Sequence, residues 1–356
     1  MRTKSQVAHL GTSVISTKCR VRRVPATEKR VDCSKMPFRK IEIPAFGRMM
    51  SNIMAHPSSS DTETNEPALD EYFRLGGNCI HLHGEGGESH TRRSTGQWLK
   101  RRDLRPQFFL CTQICHAGWD ESANCPIDRF TAQAVNEDVD VDLELLATGF
   151  LDFVYLDDNP HAPFEPVVDA IGRQIARGRV RAFGVRNWDV KRINTAQAYL
   201  SRTSQSGMAA VVTTELALAT ALAPLWPGYV PFDRTLRQAV DASGLTVLAH
   251  AADFNLGQCL FSDVDATSSL RQHWVQRWDH PANAALVHRV QNIASAHALT
   301  ARAVNLAWLL NRPFPCVAIV PLPSLLTTRR CEYERASQLI LGEGDQAYLS
   351  GDRTPT

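Results

Sequence analysis

Residues 69–102 read LDEYFRLGGNCIHLHGEGGESHTRRSTGQWLKRR. Two amphipathic stretches, NEPALDEYFRL (65–75) and TRRSTGQWLKRR (91–102), enclose a short apolar run, Asn78-Cys79-Ile80. That run ends in His81-Leu82-His83 and then a glycine-rich turn. A buried strand that opens into a polar loop between two helices is one unit of an α/β protein, and the loop is where such proteins place their chemistry.

Outward from this unit the pattern repeats. Apolar runs of strand length occur at 41–46, 78–82, 107–112, 151–156, 180–185, 209–213, 245–249 and 316–320. Helical patterns separate them at 67–75, 90–101, 131–147, 164–177, 190–201, 233–242, 282–297 with 301–310, and 324–341. Arg177-Gly178 and Ser243-Gly244 supply helix stops. Apolar strands alternating with helices predict a parallel sheet covered on both faces. Eight of them over this length predict a (β/α)8 TIM barrel. A doubly wound open sheet would place a phosphate-binding glycine turn after its first strand. Neither Ala45-Phe46-Gly47-Arg48 nor Gly84-Glu85-Gly86-Gly87 has that spacing.

Composition narrows the partners. Net charge is +2 with 21% charged and 44% hydrophobic residues. This is ordinary globular composition, which gives no case for nucleic acid or a membrane. No run approaches the roughly eighteen apolar residues of a membrane span. Nine scattered cysteines without a C-x-x-C read as reduced thiols. Residues 1–40 carry eleven Lys/Arg against Glu28 and Asp32. We therefore expect a basic, disordered extension at 1–39, one barrel domain at 40–345 and a tail at 346–356. A cytoplasmic protein is expected, although the Arg-rich, acid-poor start also has the composition of a mitochondrial transit peptide.

The stretch at 69–102 resembles the second strand and following helix of the aldo-keto reductases. LDFVYLDDNP (151–160), VVDAIGRQIARGRVRAFGVRNWDVKRI (167–193) and AVNLAWLLNRPFPCVAIV (303–320) resemble later segments of that family in order and spacing. The resemblance covers about residues 40–341 and implies an aldo-keto-reductase-like barrel. In the family an Asp, a Tyr, a Lys and a His at the ends of strands two to four support carbonyl reduction by NADPH. Here His81 stands at the Asp position, Gln113 at the Lys position and Asp157 at the His position. No tyrosine lies between Tyr72 and Tyr155. The resemblance implies NADP(H), with Asn187, Thr213 and His250 at positions that contact nicotinamide. Arg186 replaces the serine that precedes the family's asparagine. Pro321-Leu322-Pro323-Ser324-Leu325 lacks the glycine of the phosphate segment.

Strand ends of such a barrel converge on one face. The groups this sequence delivers there are His81, His83, Gln113, His116, Asp157, Asp158, Arg186, Glu215 and His250. His81 and His83 alternate to the same side. H-x-H is a metal-ligand spacing that also arises by chance, and no metal is assigned. The expected catalytic set is His81, Asp157, His83, Gln113 and Arg186. Asp157 would orient His81 and raise its pKa, and Arg186 would meet a substrate carboxylate or enolate. The expected function is non-redox acid/base chemistry on a small organic molecule, of the isomerase, lyase or cyclase type. The other two classes are atypical NAD(P)H-dependent carbonyl reduction and non-catalytic binding. Arg92-Arg93 reads as a solvated helix face, and Cys111 and Cys115 read as buried thiols. Trp274 and Trp278 read as packing a long loop, 253–281, onto the barrel.

Overall fold

A computed structural model describes residues 37–57, 65–83, 89–120, 125–224, 228–250, 277–323 and 330–351. The barrel strands are β3 (Ile53–His56), β4 (Cys79–Leu82), β5 (Phe109–Gln113), β8 (Leu151–Asp157), β9 (Val180–Arg186), β10 (Ala210–Thr213), β11 (Thr246–Ala249) and β12 (Cys316–Pro321). They pair in parallel in that order, and β12 closes on β3 through Ala318 opposite Ile53. The helices between them are α1 (Asn65–Arg74), α2 (Ser89–Arg101), α3 (Ala132–Leu145), α4 (Glu165–Ala176), α5 (Val190–Arg202) and α6 (Arg234–Ser243). After β11 come α7 (Pro281–Ala296) and α8 (Ala301–Leu310), and after β12 come α9 (Arg330–Gln338) and α10 (Glu343–Ser350). Several helices begin at side-chain caps: Asp189 accepts from the Arg192 N–H, Asp233 from Leu236 and Thr300 from Ala303. Among the described residues, no helix is long and apolar enough to cross a membrane.

Seven of the eight expected strands line the barrel, and the first does not. Residues 41–46 belong instead to an antiparallel hairpin of β1 (Lys40–Ile43) and β2 (Arg48–Ser51). Its apolar alternation is genuine, but its buried side plugs the barrel. Ile43 and Met50 are fully buried, and the Phe46 ring lies 4.7 Å from Phe109 and 5.2 Å from Phe153. The true first strand, β3, is four residues long. A second small hairpin, β6 (Gly118–Asp120) with β7 (Cys125–Ile127), follows β5.

Packing with the barrel reaches outside residues 40–345. Phe38 is buried with its ring 5.8 Å from Tyr72, and Arg39 donates to the Leu310 carbonyl at 2.8 Å, so these two residues pack with the barrel. Helix α10 runs through the boundary at 345, with Leu349 fully buried. Residues 1–36 and most of the long 253–281 loop, Trp274 included, lie outside the described residues. Trp278 is buried.

Alternation along each strand sorts side chains into two cores. Met54, Cys79, Phe109, Cys111, Phe153, Tyr155, Val212, Leu248 and Ile319 fill the barrel. Ile80, Leu110, Val154, Val185 and Val211 face the helices. The interior is tight at Gly184, where a Cβ would collide with the Ala210 carbonyl oxygen and lie 2.6 Å from the Phe153 ring. Overpacking of this kind costs about 2 kcal/mol. Gly184→Ala is therefore expected to lower the urea midpoint of unfolding, and an unchanged midpoint would contradict this packing.

Candidate active site

The same alternation carries His56, His81, Gln113, Tyr155, Asp157, Arg186 and His250 to the inside of the barrel at its carboxyl end. His81, Gln113, Tyr155 and Arg186 are buried, and His56, His83, Asp157, Asn187 and His250 are half-buried around them. Thr213 is the exception. It follows Val212, an inward residue, and so faces the helix layer, where its hydroxyl accepts from the Glu215 N–H at 3.0 Å.

A chain of hydrogen bonds crosses the site, and one backbone carbonyl fixes its direction. His56 Nδ1 lies 3.2 Å from the His81 carbonyl oxygen, which can only accept, so His56 Nδ1 bears the proton. His81 Nδ1, also 3.2 Å from His56 Nδ1, is then an acceptor. A neutral His81 must therefore carry its proton on Nε2, where it donates to the Tyr155 hydroxyl at 2.7 Å. Tyr155 in turn donates to Gln113 Oε1 across a long 3.4 Å, and Gln113 Nε2 donates to Asp157 Oδ2 at 3.0 Å. These proton positions are assigned from the bonding pattern. Every donor points from His56 toward Asp157.

Asp157 is where the chain stops. Arg186 grips it with Nε and a terminal nitrogen, each at 2.5 Å, and Asn187 adds a 3.4 Å bond. Burial opposes the Arg186 charge, but its bonds to Asp157 prevail and hold the guanidinium above its usual pKa. This corrects two expectations. Asp157 does not bond His81, and Arg186 is spent on Asp157 rather than left for a substrate anion.

Nor is the His81 pKa raised. Burial, then the His250, His56 and His83 rings and Arg186, hold it well below the histidine range. Burial, then Arg186 and His56, holds His83 down to about 3, and burial and Arg186 depress His250. All three imidazoles are neutral at pH 7. Burial pushes the Tyr155 phenol well above 10, with Arg186 opposing, so it too stays neutral.

The remaining expected mouth groups are engaged elsewhere. Asp158 pairs with Arg192 at 2.6 Å and Glu215 with Arg277 at 2.7 Å. His116 lies with its ring 5.6 Å from His83, and its Nδ1 contacts the Ala117 carbonyl at 2.9 Å. Cys111 and Cys115 are buried thiols, and burial pushes Cys115 up to about 12. Arg92 is not solvated. It is buried, pairs with the buried Asp142 at 2.7 Å and donates to the His83 carbonyl at 2.5 Å. Helices α2 and α3 thereby fix the backbone that carries His83.

The groups at hand do not fit a nicotinamide ring as they stand. Arg186 and Asn187 are engaged with Asp157, and Thr213 faces the helices. His83 stacks on His250 with centroids 5.5 Å apart and planes at 22°. A ring inserted between them would need about 7 Å. Residues 251–276 and 324–329 lie outside the described set. Among the described residues, no three His, Cys, Asp or Glu side chains converge on one metal centre as they stand.

The fold and site define a (β/α)8 barrel with an imidazole-lined mouth. Residues 45–219 match the model of the aldo/keto reductase family. The chain is also 23% identical over 316 residues to the aldo-keto reductase yakc [NADP(+)] of Schizosaccharomyces pombe, with 84% of each chain covered. Over these residues the chain is similar to the aldo-keto reductases.

Proposed function

We propose that the mouth moves protons on a small organic molecule without hydride transfer, as an isomerase, lyase or cyclase would. The half-buried imidazole of His83 is the group that meets substrate. It is neutral, so it accepts a proton first and returns it at another atom. Arg92 and Asp142 position its backbone. Behind it, the His81–Tyr155 pair keeps the neighbouring imidazoles in defined tautomers.

The observation that carries this reading is the one-directional hydrogen-bond chain that ends in a carboxylate already neutralised by Arg186. That chain uses up the groups that would otherwise serve a nicotinamide or a substrate oxyanion. The residues at the family's catalytic positions, His81, Gln113 and Asp157, supply neither an ammonium nor a mouth-facing phenol.

The test is solvent deuterium uptake. A panel of small ketones and hydroxy acids is incubated with the protein in D2O without nicotinamide and followed by NMR. Exchange is expected with the wild type, with a loss of about 100-fold or more in His83→Ala. Tyr155→Phe keeps His83 and is expected to lose less, about tenfold. Exchange that survives His83→Ala would remove His83 from this role.

The second reading is NADP(H)-dependent carbonyl reduction, favoured by the cofactor in the name of the Schizosaccharomyces pombe relative. Calorimetric titration with NADPH separates the two. No heat of binding is expected, and a micromolar Kd would replace proton transfer with reduction.

A further inference from the structure

The segment between β10 and α6 brings one more group to the mouth. Tyr229 follows Gly228, whose φ of +83° lies in the left-handed region that favours glycine. The phenol is half-buried and hydrogen-bonded to the Asn187 side chain. Asn187 stands directly after β9 with a φ of +60°, and its amide also reaches Asp157 Oδ1 at 3.4 Å. Arg186, Asp157 and Glu215, at or just past the ends of β9, β8 and β10, all act on the phenol electrostatically. Tyr229 therefore shares the mouth with His83, which also feels the Arg186 charge.

The two phenols here differ. Tyr155 is fully buried and saturated, accepting from His81 at 2.7 Å and giving its proton to Gln113. Tyr229 accepts from the Asn187 amide, because this bond favours the phenolate and only a donor does that. A phenol oxygen that accepts still has its own O–H to give. Burial raises the phenol above its ordinary pKa and Arg186 opposes; Asp157 adds to the rise and Asn187 to the opposition. The O–H is thus kept at pH 7, with a cation and an amide donor already in place for the phenolate left when it departs. Charge at the mouth is balanced in pairs. Among the described residues, Arg186 bonds Asp157 at 2.5 Å, Arg192 pairs with Asp158 at 2.6 Å and Arg277 with Glu215 at 2.7 Å. A carboxylate or phosphate entering there would lose water without gaining a counter-charge.

From these placements, and resting on the proton-transfer reading of His83, we infer that Tyr229 is the acid partner of His83 and that the substrate is a small, uncharged, enolisable carbonyl compound. His83 takes a proton from the carbon beside the carbonyl, and the C–H electron pair becomes the carbon–carbon double bond of the enol. The carbonyl π pair takes the Tyr229 proton, leaving a phenolate beside Arg186 and the Asn187 amide. On return the enol oxygen gives its proton back to the phenolate, and the imidazolium gives its own to carbon. Neither step needs an oxidant or a reductant.

The experiment follows deuterium uptake in D2O by two probes with the full chain, uncharged dihydroxyacetone and the carboxylate pyruvate, each corrected for its uncatalysed rate. Dihydroxyacetone is expected to exchange about 100-fold faster than pyruvate, which meets no unpaired cation. Tyr229→Phe keeps the ring and should lower the saturated exchange rate about 100-fold. Affinity for dihydroxyacetone should fall no more than about tenfold, the worth of one neutral hydrogen bond. Tyr199→Phe, whose hydroxyl bonds Asp169 at 3.0 Å between α5 and α4, should exchange like the wild type. Circular dichroism and thermal unfolding check the fold of each variant. Exchange lost in His83→Ala but kept in Tyr229→Phe would overturn the role of Tyr229 and leave proton transfer by His83 standing. A loss in affinity alone would make Tyr229 a binding residue and overturn its role as acid. Preference for pyruvate would overturn the substrate class, and a wild type without exchange would remove both readings.

Discussion

Asp157→Ala is expected to lower the stability of the fold by about 3 kcal/mol, because it strands a buried cation. The Arg186 side chain is 4% exposed and gives both its bonds at this site to Asp157. Without the carboxylate, the guanidinium keeps, among the described residues, the Tyr155 ring, whose centroid is 5.6 Å away, and the neighbouring Tyr229 phenol. Gln113 and Asn187 lose an acceptor in the same step. Asp157 is 29% exposed, so water can enter the space it leaves. That places the cost at the low end of what breaking a buried pair incurs. The pair itself need not be stabilising, since taking both charges out of water opposes their attraction. Replacing both partners in Asp157→Ala/Arg186→Met should therefore recover most of the loss. Thermal unfolding of the wild type and both variants checks this. A single variant within 1 kcal/mol of wild type, or a double variant no better than the single, would show that Arg186 finds other solvation.

The barrel was legible because its evidence is redundant: seven apolar runs alternate with helices, and each run faces both a helix layer and an interior. The first strand failed for a local reason. Residues 41–46 have a better apolar alternation than Ile53–His56, and nothing in the sequence says that their buried side closes a barrel end. His56 is illegible for the same reason, since it stands at the end of that strand. Tyr155 was overlooked differently. It lies two residues before the end of β8, among apolar neighbours, and only register shows its hydroxyl reaching His81. A signal did exist for Arg92. Thr91, Thr95, Trp98 and Leu99 are buried on α2, and Arg92 stands three and seven residues before Thr95 and Leu99, on that face. Grouping it with Arg93 as a charge pair concealed this. His81, His83, Gln113, Asp157, Arg186 and His250 reach the barrel mouth through their places at strand ends. What could not be read was their pairing, since sequence order gives no distance between Asp157 and His81 or Arg186.

The pairing decides how the protein responds to acid. Stability is expected to fall by up to about 3 kcal/mol between pH 7 and pH 5. His81, His83 and His250 are held neutral in the fold, His83 with a pKa of about 3, by burial and by a surround of other imidazoles and Arg186. Asp157, at the end of their hydrogen-bond chain, is already occupied by Arg186. In the unfolded chain each histidine titrates near 6.5. Between that value and the depressed native one, the unfolded chain binds more protons, so stability is full above pH 6.5 and drains as pH falls. Each imidazole contributes up to about 1.4 kcal/mol per pH unit in this window. Four described carboxyls act the other way. Burial pushes Asp142 and Asp158 up to about 6, with Arg92 and Arg192 opposing, and also raises Asp138 and Glu334. The native state therefore takes up their protons before the unfolded state does, and their contribution grows as pH drops from 6 toward 4. These upward shifts only partly offset the larger depressions of the three imidazoles, so the histidines win and the slope keeps its sign. Chemical denaturation at pH 7, 6 and 5 measures it directly. His250→Phe should reduce the net slope by more than half, since it removes one proton-binding group, worth up to about 1.4 kcal/mol per pH unit, without opening a cavity. A stability that stays level from pH 7 to pH 5 would mean that the imidazoles already carry charge in the fold. The hydrogen-bond direction assigned from the His81 carbonyl would then no longer hold, because a charged His81 donates from both nitrogens.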